Sequence, residues 1–232
     1  MDIGKSFGYV FDDEEWITKI LIAAGILLLG IFFFWLLFIP SIIAALLLGG
    51  YGVEITRRVI RGDTEVLPKW DNWGELLVDG LKAWIIEIIY ALPIIVLGVC
   101  LSIPLGILSE EAQEASALLS VCLSGIYFLW GIAMGLLLPA AIAMFVAEEE
   151  VSAAFRFGDV FGLVRDNFVT YLLVLVIGWV ASFIGGLGLF VCGVGVLVTA
   201  PYAGWITAHI RGQAYLEAKG QTAQPALEEE LA

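Results

Sequence analysis

Long apolar runs without charge divide this chain. Residues 20–53 carry no charged side chain, residues 84–108 carry only Glu87, residues 115–147 carry none, and residues 168–210 contain only His209 as a titratable group. A helix needs about 20 apolar residues to cross a hydrocarbon layer of about 30 Å. The first run is too long for one crossing, and Pro40-Ser41 sits where a hairpin would turn. The last is also too long, and glycines at 185, 186, 188, 193 and 195 mark its turn. The pattern predicts six helices, at about 17–38, 42–60, 84–108, 117–147, 168–187 and 194–216. The runs lack the strict alternation of a barrel strand, so the spans are helical, with backbone polar groups satisfied internally. The expected fold is an all-α membrane protein of three hairpins in a single domain, 1–219, followed by a disordered, acidic cytoplasmic tail at 220–232.

The connections give an orientation. Lys5 and Lys19 precede or open the first helix, and Arg57, Arg58, Arg61, Lys69 and Lys82 fall between the second and third. Arg156 and Arg165 lie between the fourth and fifth, and Arg211 and Lys219 close the sixth. The three remaining connections contain no Lys or Arg. By the positive-inside rule both termini are expected in the cytoplasm, in a multi-pass protein of the cytoplasmic membrane. The net charge of −13 leaves this unchanged, because the rule counts Lys and Arg. The acidic run Asp12-Asp13-Glu14-Glu15 stands where a signal peptide would be basic, so the first helix is expected to stay. It suits the positive end of a helix dipole, beside Trp16 as an interface anchor.

Composition agrees: 61% hydrophobic residues, 15% charged and a mean hydropathy of +0.98 exclude an ordinary soluble globular domain. It also leaves no basic surface for nucleic acid.

An aromatic-Gly pair precedes each hairpin: Phe7-Gly8, Trp73-Gly74 and Phe157-Gly158. After the second and third pairs the sequence reads as amphipathic helix lying on the cytoplasmic face. Trp73, Leu76, Leu77, Gly80, Leu81 and Trp84 form one stripe, with Asp71, Glu75, Asp79 and Lys82 off it; Phe157, Val160, Phe161 and Val164 form the other. Such elbows tuck under a bundle, or alternatively present a surface to lipid or a partner. Tyr51, Ile55-Thr56 and Ile60-Arg61-Gly62 recur as Tyr202, Ile206-Thr207 and Ile210-Arg211-Gly212, so the first and third hairpins look related by parallel duplication.

The segments Trp70-Asp71-Asn72-Trp73-Gly74-Glu75-Leu76-Leu77-Val78-Asp79-Gly80-Leu81-Lys82-Ala83, Tyr90-Ala91-Leu92-Pro93 and Ala208-His209-Ile210-Arg211-Gly212-Gln213-Ala214-Tyr215 resemble a prokaryotic integral membrane family, domain of unknown function 4013. The resemblance covers most of residues 3–216. It implies a polytopic membrane protein and brings no functional residues with it.

Ionisable groups inside a membrane mark transport or relay sites when they lie deep. Here Glu54, Glu87 and His209 all fall near the cytoplasmic ends of their helices, where Glu54 is expected to pair with Arg57 or Arg58. The structural reading is preferred for all three, with a cytoplasm-facing polar vestibule as the alternative. Gly131-x-x-x-Gly135 and Gly185-Gly186 are candidate helix-packing sites, within the bundle or, alternatively, between copies of the chain. Pro139 is expected to kink the fourth helix. Counted inward from the 109–116 connection, Cys100 and Cys122 fall at equal depth on neighbouring helices. A disulfide there is conceivable, although small apolar packing is the commoner role of a membrane cysteine.

No HExxH, GxSxG or Walker loop occurs, and the one histidine has no nucleophile or carboxylate at catalytic spacing. No Cys/His cluster calls for a metal, and no cofactor is expected. The sequence points to a non-enzymatic structural or assembly factor whose partners are the bilayer and a membrane or cytoplasmic protein. The alternative is a permease for a small or lipid-like solute. The permease requires a cavity at mid-depth between the two related hairpins.

Overall fold

The computed structural model describes residues 1–34, 38–111, 113–191 and 193–220. Among these, all regular structure is helical: α1 (Ile3–Gly8), α2 (Trp16–Phe32), α3 (Ile39–Arg61), α4 (Trp73–Glu111), α5 (Gln113–Glu148), α6 (Val151–Ala154), α7 (Phe157–Asp166), α8 (Phe168–Leu187) and α9 (Val196–Ala218). A single 3-10 turn, Gly188–Phe190, follows α8. Four stretches are long and apolar enough to cross a membrane: Ile39–Arg61, Trp73–Leu101, Ser116–Glu148 and Phe168–Phe190. The apolar α2 is shorter, at 17 residues.

The boundaries follow local chemistry. The first apolar helix stops at Phe32 rather than 38, and α3 starts at Ile39 rather than 42. Its cap, Phe38, takes a left-handed φ of 61°, and Pro40 occupies the first turn, where its missing N–H costs nothing. At the other end of α3 Gly62 adopts φ 78°, so the amide of Asp63 can reach back to the Arg58 carbonyl at 3.0 Å. Pro139 sits inside a continuous α5. The tail expected at 220–232 lies, apart from Gly220, outside the described residues, as does Cys192.

The elbows differ from one another. Nothing between Trp73 and the third span breaks a helix, so elbow and span form one helix of 39 residues, about 58 Å at 1.5 Å per residue. Its inward face is Leu76, Asp79, Gly80, Ala83, Ile86 and Tyr90, while Trp73, Leu81 and Trp84 are exposed. The apolar stripe expected from the sequence is thus rotated off the bundle, because Asp79 turns inward to an ion pair. Before α8 the elbow is a separate helix, α7, which buries Val160 and Val164 and exposes Phe157 and Phe161.

Close backbone contact fixes α3 against α4. A Cβ at Gly50 would lie 1.8 Å from the Leu76 carbonyl oxygen, and one at Gly80 would lie 1.9 Å from that of Leu46. Of the glycines expected to pack, Gly185 does so: its Cβ would come within 3.2 Å of Ala203 Cβ on α9. Gly135 faces the tip of Leu175. Gly131 and Gly186 have nothing within 4 Å of a built Cβ, so neither mediates a close approach among the described residues. The crossing that most needs glycine is therefore Gly50/Gly80, not the Gly131-x-x-x-Gly135 pair.

Candidate functional site

One end of the bundle gathers basic residues together with acidic partners. Glu54 pairs with Arg57 at 2.5 Å and with Arg58 at 3.0 Å, as the helical spacing predicts. Arg57 also reaches Asp79 of α4 at 2.6 Å, and Lys82 approaches Asp79 at 3.2 Å. Arg61 pairs with Glu149 at 2.7 Å, and Arg156 pairs with Glu148. That hydrogen-bonded carboxylate raises the Arg156 pKa above its ordinary value. Lys19 is buried, with its Nζ donating to Asp13 at 2.5 Å and to the Leu67 carbonyl at 3.1 Å. These contacts bring the N-terminal segment, the 62–72 connection and the C-terminal ends of α3 and α5 to the same end.

The N-terminal segment is keyed to α9. His209 is 2% exposed, stacks on Tyr9 at 4.3 Å between centroids, and its Nδ1 lies 2.9 Å from Ser6 Oγ. Tyr9 Oη donates to the Trp205 carbonyl at 3.0 Å, and burial holds its pKa well above the ordinary phenol value. Tyr51 donates to the Pro68 carbonyl at 2.8 Å and Tyr202 to the Phe7 carbonyl at 2.7 Å, so each anchors a segment outside the long apolar helices. Below His209 a cavity of about 620 Å³ is bordered by Lys5, Asp12, Asp63, Glu65 and Glu217. A hydrogen bond from the N-terminal amine lowers the Glu217 pKa.

The three vestibule candidates do not converge. Glu54 is consumed by its arginines, His209 locks the N-terminal segment, and Glu87 lines a different cavity of about 350 Å³ between α2, α3, α4, α5 and α9. There Glu87 shares the wall with Arg211. The guanidinium is held by Thr56: Nε and Nη2 both donate to its Oγ1, at 3.1 and 3.0 Å, and Nη2 lies 3.5 Å from the Gly52 carbonyl. Thr56 Oγ1 in turn donates to the Ala208 carbonyl at 3.0 Å. Glu87 and Arg211 interact through space without forming an ion pair or hydrogen bond with each other. The signal that could have found Arg211 is the face Gly204, Thr207, Ala208, Arg211, small or polar at i, i+3, i+4 and i+7 in an otherwise apolar helix.

Gly49, Gly52, Ala200 and Gly204 also line this cavity, and their small size leaves the room. A second cavity, also of about 350 Å³, adjoins it between α2 and α3, with Leu27 and Leu48 in both walls. Its remaining wall is apolar apart from Ser41, whose hydroxyl already donates to the Gly30 carbonyl at 2.6 Å.

Cys100 and Cys122 are free and exposed, so the disulfide weighed from the sequence is not made here. Both should react with a membrane-permeant maleimide, and mobility on a gel should not change with reductant. An oxidised Cys100–Cys122 band in native membranes would contradict this arrangement. Among the described residues no group of three or more His, Cys, Asp or Glu is placed to hold a metal ion.

Among the described residues all regular structure is helical and four helices are long and apolar enough to span, which is consistent with a membrane protein. The chain belongs to the family described as protein of unknown function (DUF4013), which matches residues 33–194. It is 27% identical over 147 residues to an uncharacterised protein of Methanocaldococcus jannaschii, covering 60% of this chain and 48% of that one. The chain therefore spans about half the length of this curated relative. No solved structure matches.

Proposed function

We propose that this protein is a six-span, non-enzymatic protein of the cytoplasmic membrane that binds and passes a small lipid-like solute. Its three helical hairpins hold both termini in the cytoplasm, and the first and third descend from a duplicated unit. The cavity between α2–α3 and α9 carries this reading. It is the feature that a permease requires and that a purely structural factor does not, and it is lined by α2 and α3 of the first hairpin and α9 of the third, with α4 and α5 closing it. The gathering of basic residues at one end supports the even number of crossings, and the matching anchors made by Tyr51 and Tyr202 support the duplication. An assembly factor is the second reading, favoured by the exposed Trp73, Phe157 and Phe161 on the elbows, which form an apolar surface for a partner or the bilayer.

Purification from native membranes in lipid nanodiscs, followed by mass spectrometry, separates the two. The solute reading expects an amphiphile retained at near one per chain and lost when Leu48→Trp fills the space between the cavities. A stoichiometric protein partner, with no retained amphiphile, would overturn it in favour of the assembly factor.

A further inference from the structure

We infer that the Glu87–Arg211 cavity receives a zwitterionic head group, its phosphate or carboxylate on Arg211 and its ammonium on Glu87, with the attached apolar chain lying in the α2–α3 cavity. This rests on the lipid-like solute proposed above and specifies its chemistry.

Two opposite charges share one cavity yet do not pair. An unpaired charge in a largely apolar setting is costly, and a ligand that carries both signs relieves that cost at both residues at once. Thr56 and the Gly52 carbonyl hold the Nε and Nη2 side of Arg211, so the guanidinium is oriented before any ligand arrives, and Nη1 makes no hydrogen bond among the described residues. A planar fork fixed along one edge presents its free edge to an oxyanion. Glu87 makes no hydrogen bond among the described residues either, and as a carboxylate it presents only acceptors, which suits an ammonium. A purely anionic head would satisfy Arg211 and be repelled by Glu87; a purely cationic one would meet the reverse.

The tail site follows from the adjoining walls. Moving along α3 from Gly52 through Leu48 to Ala44 and Ser41 crosses from the charged cavity to the apolar one over 11 residues, about 16 Å of helix. Ser41 has no donor left for a ligand, because its one O–H is spent on the Gly30 carbonyl. Gly30 and Ala44 face each other there so closely that a Cβ at Gly30 would lie 2.8 Å from that of Ala44. The groove is therefore shaped by small residues and lined by apolar ones.

The test uses the full chain in nanodiscs and three single-chain probes sharing one acyl group: lysophosphatidylethanolamine (zwitterionic), lysophosphatidic acid (anionic) and monoacylglycerol (neutral). The zwitterionic probe should bind tightest. Glu87→Gln should weaken it by about tenfold or more while leaving the anionic probe as tight or tighter, and Arg211→Gln should weaken both, as loss of one charge-assisted contact implies. Leu48→Trp should weaken all three, and it keeps the test open if Arg211→Gln fails to fold. Equal binding of all three probes, each displaced by Leu48→Trp, would overturn the head-group assignment and leave the amphiphile reading standing. Binding by none of them would remove both.

Discussion

Gly80→Ala is expected to lower the midpoint of thermal unfolding in detergent by roughly 6–12 °C, the shift that goes with about 3 kcal/mol in a chain of this size. The new methyl would be placed 1.9 Å from the Leu46 carbonyl oxygen and 3.0 Å from the Gly50 amide nitrogen, both main-chain atoms of α3. A side chain could rotate away, but a helix backbone cannot, so α3 and α4 must separate. Gly50→Ala meets the mirror obstacle at Leu76 and should cost as much. Gly131→Ala is the control: with nothing within 4 Å and a better helix former in place, its midpoint should stay level or rise slightly. Equal effects at Gly80 and Gly131 would mean that the close α3–α4 crossing does not exist.

Lys19→Met is expected to be comparably damaging. The lysine side chain is 5% exposed and its partner Asp13 only 14%, so removing the cation strands a carboxylate that is mostly out of water and also frees the Leu67 carbonyl. Breaking such a pair costs about 3 kcal/mol or more, whereas replacing both partners with neutral groups of similar shape costs far less. The double variant Lys19→Met/Asp13→Asn should therefore recover much of the lost midpoint. A double variant no better than the single one would show that Lys19 acts by packing alone.

Four of the six expected spans were legible as helices long and apolar enough to cross a membrane, because a crossing imposes a compositional requirement on some 20 consecutive residues, and α8 begins and ends where the apolar run and its glycines place it, at Phe168 and Leu187. Pairings between neighbours in sequence were legible too, as with Glu54, Arg57 and Arg58. What escaped was whatever depends on distant segments meeting. Lys19 reads as a rim cation until the 62–72 connection folds over it. Asp79 reads as solvated until Arg57 arrives from another helix and rotates the α4 stripe. Arg211 follows the same rule: its guanidinium is held by Thr56, 155 residues earlier. Gly50 and Gly80 carry no GxxxG signature, because each contributes half of a crossing between two helices. Gly131-x-x-x-Gly135 has the signature, but Gly131 is exposed.

A bundle of this orientation holds its cationic rim on the cytoplasmic side, and cysteine accessibility tests that directly. In a background with Cys100, Cys122 and Cys192 replaced by serine, single cysteines at Arg61, Arg156, Glu114 and Val191 would be exposed in intact cells to a membrane-impermeant maleimide. The expected result is labelling at positions 114 and 191, and at positions 61 and 156 only after the cells are opened. Labelling at 61 or 156 in intact cells, or protection at 114 and 191, would contradict the orientation and the even number of crossings together.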